Sequence, residues 1–184
     1  MKYEKISIRY AKALFDLTSE MNLEEIVFND MIVVEQVCNI REFTVTMNSP
    51  IIKESKKISI INALFKNKIH TLTFKYLILI IRKQREALIQ TIAQQFINLY
   101  REKNNIKVAY FKCAAPIDDN FKTHIQKVIE KILNCKTELV VSIEPKLIGG
   151  FVVTVDGKRY DASIKNKLDR LSKEFKINIY EKGF

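Results

Sequence analysis

The sequence predicts an α+β protein overall, with an N-terminal six-helix bundle over residues 1–105 followed by a small α+β domain over residues 106–184. Three observations carry that prediction. The 4 glycines, Gly149, Gly150, Gly157 and Gly183, all lie beyond residue 148, and Pro50 and Pro116 are the only prolines before Pro145. A stretch nearly free of the two strongest breakers of regular structure is expected to be helical. Apolar residues also recur three and four positions apart through the first hundred residues. After Lys103-Asn104-Asn105 the pattern changes to short alternating runs bounded by turn signals.

The opening helix places Tyr10, Ala13, Leu14 and Leu17 along one side, with Ala11 and Phe15 beside them. A second helix, from about Leu23 to Asn39, aligns Val27, Met31, Val34 and Cys38, and a short third covers Arg41 to Met47. Ser49-Pro50 then reads as a helix start, with Ser49 as N-cap and Pro50 where its missing N–H is harmless. Ile51, Ile58, Ile61 and Phe65 would share one face of that fourth helix. The fifth, His70 to Gln84, holds Phe74 and the run Tyr76 to Ile81, so it is apolar nearly all round and is expected to be covered all round. The sixth, Glu86 to Lys103, returns to a single stripe of Leu88, Ile92, Phe96 and Leu99.

Beyond the boundary, Ile106 to Ala114 reads as a strand, and Pro116 with Asp118-Asp119 opens a helix carrying Phe121, Ile125, Val128, Ile129 and Ile132. Leu139, Val141 and Ile143 alternate with polar neighbours, and Phe151, Val153 and Val155 begin another strand. Asp156-Gly157 marks a tight hairpin turn into Lys158 to Tyr160. A last helix, with Ile164, Leu168, Leu171 and Phe175 spaced four, three and four apart, is expected to close the domain by holding that stripe against the sheet.

Charge and side-chain chemistry narrow the function classes. The net charge of +10 is uneven, −3 over residues 1–50, +8 over 51–105 and +5 over 106–184, and is interleaved with apolar residues without a basic run. It reads as a solvated basic surface, with nucleic-acid binding as the alternative; that alternative lacks an RNP-type aromatic motif or zinc-finger spacing. Cys38, Cys113 and Cys135 form no CxxC pair, and His70 and His124 have no second metal ligand near them, so no metal and no disulfide framework is expected. Gly150 to Gly157-Lys158 misses the phosphate-loop spacing and reads as strand, so no nucleotide cofactor is expected. Gly149-Gly150 reads as a bulge or tight bend entering the strand, and Asp161 or Ser163 as the cap of the last helix. The N-terminus shows no secretory or transit pattern, and the apolar runs are far short of a membrane span; action in the compartment of synthesis is expected.

Two stretches resemble a known family. Arg9-Tyr10-Ala11-Lys12-Ala13-Leu14-Phe15 is similar to the opening motif of the delta subunit of F-type ATP synthase, the family of the mitochondrial oligomycin-sensitivity-conferring protein. Glu144 to Leu171 resembles its C-terminal signature: an Ile-Gly-Gly step at Ile148-Gly149-Gly150, a hairpin at Asp156-Gly157, an Asp-x-Ser turn at Asp161-Ala162-Ser163 and a Leu-x-x-Leu helix at Leu168 to Leu171. The family more often has Gly where Ala162 stands, and its helices are commonly richer in Ala. Order, spacing and length match over essentially the whole chain.

The resemblance implies a non-catalytic stator subunit, present as a single copy, that links the catalytic head to the peripheral stalk so that rotary proton transport is coupled to ATP synthesis. It implies a groove between the first and fifth helices for the N-terminal helix of an alpha subunit, lined here by Tyr10, Ala13, Leu14, Leu17, Tyr76, Leu79, Ile80 and Lys83. It implies docking of the C-terminal domain on b-type stalk subunits, steered by Lys165, Lys167, Arg170 and Lys173. It implies no cofactor, no metal and no nucleic-acid partner. Attachment to the cytoplasmic face of a bacterial membrane would come only through the complex.

Overall fold

The computed structural model describes residues 2–178, in two compact units that meet in sequence between Asn104 and Asn105. The first unit contains six α-helices: α1 Lys2–Glu20, α2 Glu24–Cys38, α3 Arg41–Asn48, α4 Glu54–Phe65, α5 Thr71–Arg82 and α6 Ile89–Lys103, the last preceded by a 3-10 turn, Glu86–Leu88. Helix α6 packs against both α1 and α2, and α4 packs against α5. The core gathers Leu14, Val27, Met31, Ile61, Phe65 and Phe96, all at most 1% exposed. Ring contacts reinforce it, with Phe15 edge-on to Phe96 at 5.6 Å and Phe28 stacked on Tyr100 at 4.1 Å.

With no glycine available, other residues end these helices in the left-handed conformation. Asn22, Asn67 and Asn105 have φ of 55°, 63° and 50°, and Gln84 has 54°. Asparagine tolerates this region better than most residues. After α1, Asn22 N donates to Ser19 O and Leu23 N to Thr18 O; after α5, Gln84 N donates to Ile81 O and Arg85 N to Ile80 O. These paired bonds satisfy carbonyls that a helix end otherwise leaves open.

Three expectations need correction here. Helix α4 begins at Glu54, with Lys53 as N-cap, so Ser49-Pro50 is not its start. Ser49 instead ends α3 in extended conformation, as a residue before proline prefers, and Ile51 stands 89% exposed in the bend. Starting at Glu54 puts a carboxylate in the first turn, where the helix dipole favours it. Helix α5 is not covered all round either: Leu79 is exposed, because the six helices bury only one broad side of it.

The second unit contains β1 Ile106–Cys113, α7 Asp119–Leu133, β2 Lys136–Ile143, a 3-10 turn Pro145–Leu147, β3 Phe151–Val155, β4 Lys158–Asp161 and α8 Ile164–Asn178. Its sheet runs β2-β1-β3-β4, with β1 and β2 parallel across the α7 crossover and the remaining pairs antiparallel. Asp118 caps α7 by accepting from Phe121 N at 3.2 Å. Between Val155 and Lys158, which pair across the hairpin, Asp156 and Gly157 have φ of 47° and 74°, the turn type that Asp-Gly favours. Helix α7 packs Ile125, Ile129 and Leu133 with Ala109, Leu139, Val153 and Val155.

The third correction concerns α8. Its stripe is not held against the sheet: Ile164, Leu168, Leu171 and Phe175 are 44 to 70% exposed, and the helix touches its unit chiefly through the Pro145–Leu147 turn. Spacing identifies an apolar stripe; it does not say what the stripe packs against.

Candidate functional site

The α1 and α5 surfaces meet through two tyrosines. Tyr76 Oη donates to the Tyr10 carbonyl at 2.9 Å, and the Arg85 guanidinium lies 5.3 Å from the centre of the Tyr10 ring. Burial, with Tyr10 alongside, holds the Tyr76 phenol well above the usual tyrosine range. Helix α5 is anchored at its start by His70, whose Nδ1 accepts from Leu72 N, and by Asp30 of α2. The Asp30 Oδ2 accepts from His70 N at 2.9 Å and Thr73 Oγ1 at 2.6 Å.

Of the eight residues expected to line this groove, Tyr10 and Tyr76 are half-buried and in contact, while Ala13, Leu17, Leu79 and Lys83 are exposed. Leu14 and Ile80 are corrected: at 1% and 0% exposure they belong to the bundle core and present nothing to a partner. Both sit where their helix turns inward, one position beside the outward row. Met21, exposed and four residues beyond Leu17, extends that row and was missed because it lies past the last full turn of α1.

The second unit carries its own open apolar surface. Between α7 and the β3–β4 hairpin runs a trough of about 600 Å³, whose lining includes Phe111, Val128, Ile132, Phe151, Val153 and Tyr160. Phe111 and Phe151 stack at 5.3 Å, and Phe151 and Tyr160 lie at 6.3 Å. It arises because α7 packs most extensively on β2 and reaches β3 only at Val153 and Val155, which leaves Phe151 half-buried and Tyr160 exposed at the far side of this sheet face. No sequence motif announced it, because its lining is shared among four separate elements.

The signature residues organise the start of α8. A Cβ on Gly149 would come within 2.5 Å of Ile164 Cδ1, and one on Gly150, at φ +76°, within 2.4 Å of the Ala162 carbonyl oxygen. The Ser163 hydroxyl accepts from Asn166 N at 3.2 Å, which makes it the cap. It donates in turn to Asp161 Oδ1 at 2.6 Å, as does the Ser163 amide at 3.1 Å. These bonds and the Arg159 guanidinium hold the Asp161 carboxyl below the usual carboxylate range. Lys165, Lys167, Arg170 and Lys173 are exposed on α8, as are Leu168 and Leu171, and none of the four cations has an ion pair with another described residue. The neighbouring Ile148 adopts φ +66° and ψ −40° and is 67% exposed, a conformation that a β-branched side chain rarely takes.

Among the described residues there is no group of three metal-capable side chains, and no helix is long and apolar enough to cross a membrane. Burial pushes the Cys38 thiol up to about 12.

A helical bundle followed by a four-stranded α+β unit, each with apolar side chains open to solvent, places the chain among two-unit proteins with surface available for docking. The ATP synthase delta (OSCP) subunit family model matches residues 6–175. The chain belongs to that family. It is 32% identical to ATP synthase subunit delta of Cytophaga hutchinsonii over 176 residues, covering 95% of this chain and 96% of the relative. It is 35% identical to the protein of the same name from Rickettsia canadensis over 176 residues, covering 92% and 94%. In fold it is similar to a chain of the Toxoplasma gondii mitochondrial ATP synthase hexamer, with a TM-score of 0.68, 21% identity and coverage of 92% and 96%.

Proposed function

We propose that this chain is the stator subunit that ties the catalytic head of an F-type ATP synthase to its peripheral stalk. The observation that carries the reading is the family match across both units, from residue 6 to 175. The first unit, residues 1–105, takes the N-terminal helix of an alpha subunit on the α1–α5 surface. Tyr10, Ala13, Leu17, Tyr76, Leu79 and Lys83 form the strip on offer, and such a helix would dock through apolar anchors three and four residues apart. The second unit, residues 106–184, meets b-type stalk subunits, with the α8 cations steering the approach.

The mechanism is mechanical and thermodynamic. Two modest interfaces on one chain gain from effective concentration, so the head stays tethered while the rotor turns. The protein is one copy per complex, lies on the cytoplasmic face of the membrane through its partners, and has no active site of its own. The family match lends the nucleic-acid alternative no support.

The test is a titration of the full chain with a synthetic peptide of the alpha-subunit N-terminus. Chemical-shift changes are expected along α1 and α5, and Leu79→Asp should weaken binding by about tenfold or more, since it puts a charge into a desolvated contact. Absence of shifts on α5 would overturn the groove assignment.

A further inference from the structure

Helix α8 reads as one half of a coiled-coil seam. Ile164, Leu168, Leu171 and Phe175 occupy alternating d and a positions of a heptad, and all are open to solvent. The positions beside that seam are Lys165, Lys167, Ser172 and Glu174, so its N-terminal half is flanked by cations alone. Arg170 and Lys173 add positive charge on the outer side. At the head of the stripe, Ile164 N donates to Gly149 O at 3.0 Å, which sets Ile148 one residue from the seam. Ile148 is held in a backbone conformation that glycine would adopt without cost, and its side chain is mostly exposed. In the chain alone it gains neither packing nor an unstrained backbone.

We infer that Ile148 and the α8 stripe together form a docking seam for a partner helix whose own apolar stripe is flanked by acidic residues, with Ile148 as the knob that fixes where that helix ends. This rests on the stalk-docking reading of the second unit and names the surface and the partner's chemistry. Charge selects the occupant. In a parallel pair a second copy would set Lys165 and Lys167 against like charges, and in an antiparallel pair its Glu174 would answer only one of the two lysines, whereas a fully acidic flank answers both. A lipid surface calls for a broad apolar face, whereas four residues in a narrow a/d row suit a single helix. An acidic flank opposite the lysines both attracts and aligns.

The experiment uses the full chain and two probes. One is a synthetic four-heptad helix with Ile and Leu at a and d and Glu at e and g, with a Lys-flanked version as control. The other is the soluble domain of a b-type stalk subunit. The chain is expected to bind the Glu-flanked helix about tenfold or more tighter than the Lys-flanked one, to lose that binding with Leu168→Asp, and to weaken about tenfold with Ile148→Gly. Ile148→Gly should leave the free chain at least as stable as before, which separates lost docking from lost folding. Val128→Asp, in the trough, should change neither.

Equal binding of the two synthetic helices, or binding that survives Leu168→Asp, overturns the seam. So does a Leu168-dependent dimer in sedimentation equilibrium, or Leu168-dependent binding to anionic phosphatidylglycerol vesicles. If the Glu-flanked helix binds as expected and the stalk domain does not, the seam stands and the stalk reading falls. If the stalk domain binds through Val128 and ignores Leu168 and Ile148, the stalk reading stands and the seam is overturned.

Discussion

Replacing Asp30 by alanine should loosen the start of α5, and with it one wall of the proposed alpha-subunit groove. The Asp30 carboxylate is only 8% exposed and receives the His70 amide and the Thr73 hydroxyl, the latter fully buried. Each hydrogen bond to a charged acceptor contributes about 1.5–3 kcal/mol, and removing the acceptor also strands two donors. Against this, alanine removes a carboxylate whose desolvation had to be offset. The net cost works out at about 3 kcal/mol, toward the lower end of the two-bond range. Asparagine keeps an acceptor oxygen in place and loses only the charge at the helix N-terminus, so Asp30→Asn should cost about 1 kcal/mol. Native-state hydrogen exchange reads this locally. The α5 amides should exchange about a hundredfold faster in Asp30→Ala, as 3 kcal/mol requires, and about fivefold faster in Asp30→Asn. A loss below about 1 kcal/mol for alanine, or equal losses for both variants, would refute the anchoring argument.

Other outcomes follow from the same structure. Leu14→Ala and Ile80→Ala should each destabilise the first unit by about 2–5 kcal/mol in denaturant unfolding, whereas Leu79→Ala should cost about 0.5 kcal/mol or less, because only the first two vacate core volume. Gly150→Ala should destabilise the second unit by about 2 kcal/mol or more in thermal unfolding, since a positive φ is costly and the Ala162 carbonyl cannot move aside as a side chain could. Asp161 has a lowered pKa in the folded chain, so its support of the α8 cap is complete above the unfolded pKa and is lost as pH falls through the folded one. An NMR acid titration should show the Ser163 and Asn166 amides shifting together with that loss, and Asp161→Asn should abolish the titration.

Much of the fold was legible because local chemistry and the final structure agree. The stripe of Leu88, Ile92 and Phe96, which runs from the 3-10 turn into α6, is buried, Asp118 caps α7, and Asp156-Gly157 turns the hairpin. Pro50 misled because a proline suits both a first helical turn and an irregular bend, and the choice lay in which apolar residues the neighbouring helices could cover. The asparagines at the helix ends were legible in principle. In a chain short of glycine, Asn22, Asn67 and Asn105 turn left-handed two positions after α1, α4 and α6, while Gln84 does the same after α5 with no such signal in its residue type.

The candidate surfaces were harder to read, for one physical reason. Periodicity reports that a helix has an apolar side, and burial depends on whether another element arrives to cover it. Tyr10, Leu14 and Leu17 share one stripe, yet only Leu14 is in the core. Leu168 and Leu171 repeat as cleanly as any core pair, yet they stand 52% and 48% exposed among the described residues of their unit. Sequence by itself determined the elements, the turn chemistry, the family and the change of character after residue 105. Tertiary structure alone decided how much of the sheet face α7 shields, that Ile148 is held exposed in a strained backbone, and that α8 keeps its stripe open, because each depends on how far one element reaches across another.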